Sequence, residues 1–349
     1  MSEAKSFDYW DFFLVECQRA NAPLYVEIVR GIGADDDLKE LASHLTPGQP
    51  MANVILAAVH FLLLRGAQHP LRQCYANLNG GERRNGEDAF PLFKDFVNAH
   101  RDEVAALIAR GITNTNEVAR CSALHPAFRT VAKEAGEPLA LIEIGPSAGL
   151  NMVWDKYRVR YARAGQTLHA GPGDAALTID CVLRGEQVPP MGPSPRVARR
   201  MGLELNPVDL SDPYWRDWLR ALVWPDQVER FTRLETAIDI AAEEKQDIRP
   251  GSALDLLSGA IAGIPQDLPV CVYHTHVVYQ FTEEMRATLN DILVAASLRR
   301  PVWRLSIEGS VHTPGTAEMK LARYHDGTRA LRQLGLCHPH GAWLEWQDA

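Results

Sequence analysis

The six cysteines (Cys17, Cys74, Cys121, Cys181, Cys271 and Cys337) form no CxxC pair. That spacing argues against a disulfide framework or a zinc site and reads as reduced, buried thiols. No apolar run approaches the ~18 residues of a membrane span. Basic residues are in deficit: 36 Lys and Arg against 44 Asp and Glu leave a formal net charge of -8. This balance speaks against a nucleic-acid backbone as the main partner, although Arg196, Arg199 and Arg200 make a local basic patch. Residues 1–11 are charged and lack the apolar core of a secretory signal. Internal repeats and low-complexity tracts are also missing. The expectation is a cytoplasmic protein acting on a small-molecule substrate, without membrane, metal or nucleic acid.

What is there is ordinary for a globular protein, with 46% hydrophobic and 23% charged residues. A chain of 349 residues can bury a substantial core and has room for about two domains. The first third reads as helix. Tyr9/Trp10, Phe13/Leu14 and Cys17 recur at helical spacing, as do Phe93, Phe96 and Val97, then Val104, Leu107 and Ile108. Residues 51–66 are apolar nearly all round, as in a buried helix. No alternating strand precedes Pro138, so a helical N-terminal cap domain is expected over residues 1–135.

The pattern then changes. Residues 139–144 make an apolar run closed by Gly145, fit for a buried parallel strand, and helix returns over 148–157. Residues 177–183 alternate as part of an extra hairpin, and 197–205 make a second core strand. Helix formers fill 215–245, interrupted near Trp224-Pro225. A short helix over 255–264, a buried strand over 269–278, an amphipathic helix over 283–298 and a strand over 302–307 follow. Segments 319–324 and 342–346 are read as an antiparallel pair. Strands alternating with helices imply a three-layer α/β sheet over 136–349, with a hairpin insertion near 158–196.

The main chemical signal is Glu143-Ile144-Gly145-Pro146-Ser147-Ala148-Gly149. A strand ending in small residues lets a ligand approach the backbone, and a helix start offers unpaired N–H groups. The GxGxxG register of dinucleotide binding would need glycine at Ser147 and Leu150. Gly145 to Gly149 is also G-x-S-x-G, the elbow of a serine hydrolase, with Ser147 as nucleophile and Asp255 and His312 as partners. A third reading is a tight turn with no chemistry. Position favours the cofactor: 139–144 is the first strand of the sheet, where doubly wound folds carry a cofactor loop. Glu204, before Asn206-Pro207, ends the second strand and could accept two ribose hydroxyls.

These pieces resemble class I S-adenosylmethionine-dependent methyltransferases. Glu143-x-Gly145-x-Ser147-x-Gly149 is similar to their first motif, with serine at the middle glycine. Glu204 with Asn206 resembles their ribose-binding acid, and Gly251-Ser252-Ala253-Leu254-Asp255 their adenine loop, with Ser252 where an acid usually stands. The resemblance implies a Rossmann-like, methyltransferase-type sandwich, S-adenosylmethionine as cofactor, and cofactor contacts from Glu143, Gly145, Ser147, Gly149, Glu204, Asn206, Ser252 and Ala253. A longer resemblance covers nearly the whole chain. The run 113–120, Trp154-Asp155-Lys156-Tyr157, Leu203 to Asp209, Trp218 to Pro225 and Tyr273-His274-Thr275-His276 resemble the uncharacterised bacterial domain-of-unknown-function family 2332 (DUF2332).

Other polar residues are candidates for chemistry. Asn116, Glu117 and Arg120 either line the substrate pocket or form a capping and salt-bridge cluster, Glu117 and Arg120 sharing a face if helical. His274 and His276 would share a strand face. Their readings are structural, general base, or metal ligands with Glu308 or His312. Trp154, Tyr157, Tyr273 and Tyr279 are read as an aromatic pocket or as core. The expected activity is methyl transfer to a small or medium acceptor, the alternatives being a serine hydrolase at Ser147 and a non-catalytic binding protein.

Overall fold

A computed structural model describes residues 9–82, 89–113 and 117–348. The chain forms two compact units, Met1–Thr115 with Ser211–Glu235, and Asn116–Leu210 with Thr236–Ala349. The division thus does not follow the boundary expected at residue 135. The first unit holds α1 (Tyr9–Arg19), α2 (Pro23–Gly33), α3 (Asp36–Lys39), α4 (Met51–Leu64), α5 (Ala89–Ala99) and α6 (Arg101–Arg110). The 90–110 periodicity is two helices, broken at His100. In α4, residues 54–59 are all buried, which explains why no polar stripe was visible.

A later segment completes this unit. Trp218 of α8 (Pro213–Ala221) is fully buried in its core and donates its indole N–H to the Ile112 carbonyl at 2.8 Å. His60 of α4 contacts the Ala221 carbonyl through Nδ1 at 3.0 Å and Asn77 through Nε2 at 3.0 Å. Helical periodicity cannot reveal such a return, because it reports which face is apolar and not what covers it. Helix α9 (Val228–Glu243) crosses the division between units.

The second unit opens with α7 (Cys121–Ala135). Pro126 inside α7 has no N–H, so the Ser122 carbonyl, four residues earlier, loses its helical donor. The buried Tyr161 hydroxyl donates to that carbonyl at 2.5 Å and replaces the missing bond. The strands follow as β1 (Leu139–Ile144), β2 (Arg158–Arg163), β3 (Gln166–Ala170), β4 (Thr178–Arg184), β5 (Val197–Glu204), β6 (Asp247–Pro250), β7 (Val270–Thr275), β8 (Val302–Gly309), β9 (Ala317–His325), β10 (Thr328–Cys337) and β11 (Trp343–Trp346). Helix α10 (Ala253–Ala262) connects β6 to β7, and α11 (Glu283–Ser297) connects β7 to β8.

One mixed, mostly parallel sheet contains all eleven, in the order β3-β2-β4-β11-β10-β9-β8-β7-β1-β5-β6. Strands β6, β5, β1, β7 and β8 are parallel neighbours. Every residue of β1 and β7 is buried, as strands covered on both faces require. On one face Ala140, Ile142, Val270 and Val272 join Leu257, Ile261, Leu289 and Leu293 of α10 and α11 in one apolar cluster. On the other, the Phe128 ring of α7 stands edge-on to Tyr273, with centroids 5.0 Å apart.

Several sequence expectations change. Residues 177–183 do not hairpin with a neighbour: β4 pairs in parallel with β2 and β11, while the hairpin is β2–β3. Segments 319–324 and 342–346 do not pair with each other; β9 and β11 each pair antiparallel with β10 between them. Half of β10 is exposed, including five of its first six residues, so its apolar alternation is too weak to read. Among the described residues, no helix is long and apolar enough to cross a membrane. The six thiols are free and buried.

Tyr161→Phe should lower unfolding stability by about 1–3 kcal/mol, since the Ser122 carbonyl is left buried without a donor. Urea denaturation checks this, and an unchanged midpoint would refute the substitution of one bond for the other.

Candidate functional site

Among the five contiguous parallel strands the order reverses at β1: after β2–β4 at the far edge, the chain adds β5 and β6 on one side of β1, then β7 and β8 on the other. A crevice at such a reversal, outside the carboxyl ends of the strands, is where open α/β sheets hold ligands. The loop after β1 lies there. Gly145, Ser147 and Gly149 all have positive φ (68°, 55° and 74°). A Cβ on Gly145 would lie 2.8 Å from the Val277 side chain, and one on Gly149 would overlap the Gln246 amide oxygen. Both glycines therefore serve close packing within the protein, and not only the ligand approach expected of them. The following segment is also not the expected α-helix. Leu150–Lys156 is a seven-residue 3-10 turn kinked at Val153, so no aligned helix dipole stands behind the loop.

Three motifs separated in sequence meet at this edge. The Ser147 N–H donates to Glu204 Oε2 at 2.8 Å, and the Asn206 N–H to Glu204 Oε1 at 3.0 Å. The Gly251 N–H donates to the Glu204 carbonyl at 2.9 Å, which brings the 251–255 loop alongside. Ser252 caps α10 by accepting the Leu254 N–H, and Ala253 is buried in the first turn. Each oxygen of a carboxylate accepts about two hydrogen bonds, so Glu204 keeps capacity for a ligand hydroxyl. Asn206 is exposed and contributes its backbone.

Behind the loop lies a buried polar group. Glu143, on the α7 face of β1, accepts the Tyr273 hydroxyl at 2.8 Å. Burial pushes its carboxyl up to about 8, with Glu204 adding to the rise and Tyr273 and Arg120 opposing it. Glu143 is thus a neutral acid at neutral pH, able to donate as well as accept. Glu117 and Arg120 do not share a helix face. Glu117 caps a short 3-10 turn, Val118–Arg120, by accepting the Ala119 N–H at 3.1 Å, and lies 3.4 Å from His340 Nδ1. Arg120 is buried and bonds the Pro339 carbonyl at 2.9 Å and that of Thr275 at 3.4 Å. Asn116 lies outside the described residues.

The two histidines part company. His274 is wholly buried in β7, with Nδ1 2.5 Å from Glu308 Oε1 and Nε2 accepting Arg304 Nε and Nη2 at 3.1 and 3.0 Å. Arg304 can only donate, so the His274 proton sits on Nδ1, and neither nitrogen is left to act as a base or a metal ligand. The strand ends at Thr275, and His276 leaves it with φ 55°, so the expected alternation does not carry the two rings to one face. His276 Nε2 is buried and has no hydrogen-bond partner among the described residues. Burial, then the nearby Arg120 charge, lowers its imidazole to about 4.

Trp154, Tyr157 and Tyr273 are core residues, while Tyr279 is exposed; they form no shared pocket lining. Asp255 and His312 are both exposed, the latter near Glu318. A groove of about 430 Å³ lined by Glu134, Arg323, Leu331 and Arg332 lies elsewhere. Arg323 pairs in register with Trp303 at the start of β8, the edge opposite to the candidate site. No sequence signal pointed to the Tyr273–Glu143 bond or to Arg304. Their only trace was strand alternation, which places Glu143 and Tyr273 on one face in adjacent strands.

Fold and site together define an α/β protein in which the 145–149 loop, the Glu204–Asn206 turn and the 251–255 loop meet at the carboxyl edge of a parallel sheet. The chain belongs to DUF2332, the family described as an uncharacterized protein conserved in bacteria, whose model matches residues 13–346. No curated protein and no solved structure matches the chain.

Glu143 supplies a signed pH dependence. The folded state keeps this proton up to about 8, whereas the unfolded carboxyl releases it near its ordinary 4.5. The contribution to stability is full below 4.5 and is lost as pH rises through about 8. Buried histidines such as His125 and His276, held at about 4, act with opposite sign below their ordinary 6.5. Urea denaturation between pH 6.5 and 8 therefore isolates Glu143. Wild type should lose up to about 1.4 kcal/mol per pH unit relative to Glu143→Gln. Parallel curves would show that Glu143 is ionised in the fold.

Proposed function

We propose that this chain is an S-adenosylmethionine-dependent methyltransferase acting on a small or medium acceptor. The observation that carries the reading is the pair of hydrogen bonds that ties the first-strand loop, through Ser147, and the second-strand turn, through Asn206, to Glu204. Further support comes from the order of the five parallel strands: third, second, first, fourth, fifth, as in the first five places of a doubly wound nucleotide-binding sheet. Three features depart from that pattern, the first being β2–β4, which come between β1 and β5 in the chain and lie at the far edge of the sheet. A 3-10 turn replaces the first helix, and β9 runs antiparallel directly beside β8.

When bound, the cofactor supplies an electrophilic methyl on a sulfonium sulfur. Glu204 would accept ribose hydroxyls, the 145–149 loop would face the amino-acid portion, and Ser252 and Ala253 would border the base. His276 is held neutral through the physiological pH range, and its buried Nε2 has no partner among the described residues. In the Nδ1–H tautomer, and once the turn admits the acceptor, that nitrogen would accept a hydrogen bond from the nucleophile and orient it. Arg120 holds the backbone at Thr275 that leads into His276.

Isothermal calorimetry with S-adenosylhomocysteine tests the proposal. Wild type should bind, and Glu204→Ala should bind about tenfold or more weakly, a loss of ~1.4 kcal/mol, while remaining folded at the assay temperature. No binding by wild type up to about millimolar ligand would remove the reading.

A serine hydrolase is favoured by one observation, the positive φ of Ser147, which resembles the strained turn of a nucleophile elbow. The exposed Asp255 and His312 do not support a triad, in which the acid is buried against the histidine. A fluorophosphonate probe should leave Ser147 unlabelled; labelling that Ser147→Ala abolishes would reverse the choice.

A further inference from the structure

We propose that Glu308 is the positioning residue for His276: its carboxylate gathers the backbone of 277–279 and locks the left-handed turn that carries the His276 ring. The inference rests on the methyltransferase reading only for the role given to His276; the placement itself follows from the contacts below.

Glu308 Oε1 accepts the N–H groups of Val277 and Val278 at 3.1 and 3.0 Å, and Oε2 accepts that of Tyr279 at 3.2 Å. With His274 Nδ1–H, four donors converge on one side chain. These bonds hold Glu308 down at about 2 despite its burial. From the other side, Arg286 of α11 donates to the carbonyls of Val278 and Tyr279, both at 3.2 Å. The segment is therefore clamped by an anion from β8 and a cation from α11. Its first residue, Val277, fills the space that a Cβ on Gly145 would need, so the clamp also sets the distance between the β7 turn and the β1 loop.

Arg304 and His274 act behind the carboxylate. Arg304 occupies His274 Nε2, which places the only ring proton on Nδ1, facing Glu308. This arrangement explains why a wholly buried histidine stands one turn before the candidate site without taking part in its chemistry. His276 directly precedes the clamped segment. Its N–H donates to the Ile307 carbonyl at 2.8 Å, and a non-glycine residue at φ 55° needs surroundings that hold it there.

Titration of the His276 ring separates positioning from charge. The charged groups facing it are Arg120 on the 3-10 turn, Glu308 on β8 and His340 in the 338–341 turn. Removing the Glu308 anion by electrostatics alone would lower the His276 midpoint further, because a nearby carboxylate favours the imidazolium. Releasing the turn would let the ring reach water and raise the midpoint toward its ordinary value. The two mechanisms thus predict opposite signs.

The experiment uses the full chain with 13C-labelled histidine, the His276 resonance being assigned from His276→Gln, and is read without cofactor. In Glu308→Ala the His276 midpoint should rise by about one pH unit or more. Amide exchange at 277–279 should accelerate by about tenfold or more, with that of 270–274 unchanged. Should Glu308→Ala fail to fold, Glu308→Asp keeps the charge and withdraws it by one methylene, and the same rise is expected. A midpoint that falls or stays, or unchanged exchange at 277–279, overturns the proposal. Because no cofactor is present, failure here is distinct from a failure of wild type to bind S-adenosylhomocysteine.

Discussion

The carboxyl end of β1 cannot carry side chains where its two glycines stand. Val277 occupies the space beside Gly145, and the Gln246 amide fills that beside Gly149. This close approach draws the turn after β7 and the segment leading into β6 against the first loop. It leaves Ser147 in the turn with its N–H directed at Glu204. A side chain at Gly145 would have to push the β7 turn away, one at Gly149 would displace the Gln246 amide, and either would strain a backbone at positive φ. The meeting of these polar loops is therefore fixed by packing and by hydrogen bonds within the protein.

Two kinds of buried acid support it. Glu143 is held neutral by burial and bonded to Tyr273, while Glu308 is held ionised by four donors despite its burial. The contrast follows from hydrogen bonding: one phenol cannot offset the desolvation of a carboxylate, but a histidine and three backbone N–H groups can. On this account the first acid can donate a proton-bearing hydrogen bond, and the second fixes a backbone turn.

Much of the sheet was legible because β1, β7 and β8 are apolar runs bounded by glycine, proline or helix formers. β6 was not, being a four-residue, largely exposed edge strand. β10 was missed because its first six residues face mostly solvent. The helix expected after Gly149 failed for a local reason: Val153 leaves the helical region and breaks the segment into a 3-10 turn. At this edge, Ser147 and Glu204 were legible as residues at strand ends, whereas the 251–255 loop was marked by resemblance alone, the strand before it being unread. The roles of His274 and His276 were not, since spacing by two predicts a common face only while the strand continues, and it stops at Thr275. Glu308 was visible as a candidate ligand for a metal, whereas its partners are backbone groups that no sequence pattern marks.

The central claim is that the edge formed by β1, β5 and β6 holds a nucleoside cofactor. A crystal structure grown with S-adenosylhomocysteine tests it most directly. The account requires ligand density against the 145–149 loop with ribose hydroxyls on the Glu204 carboxylate. Density for the ligand at another place, or an empty crevice at saturating ligand, would contradict it.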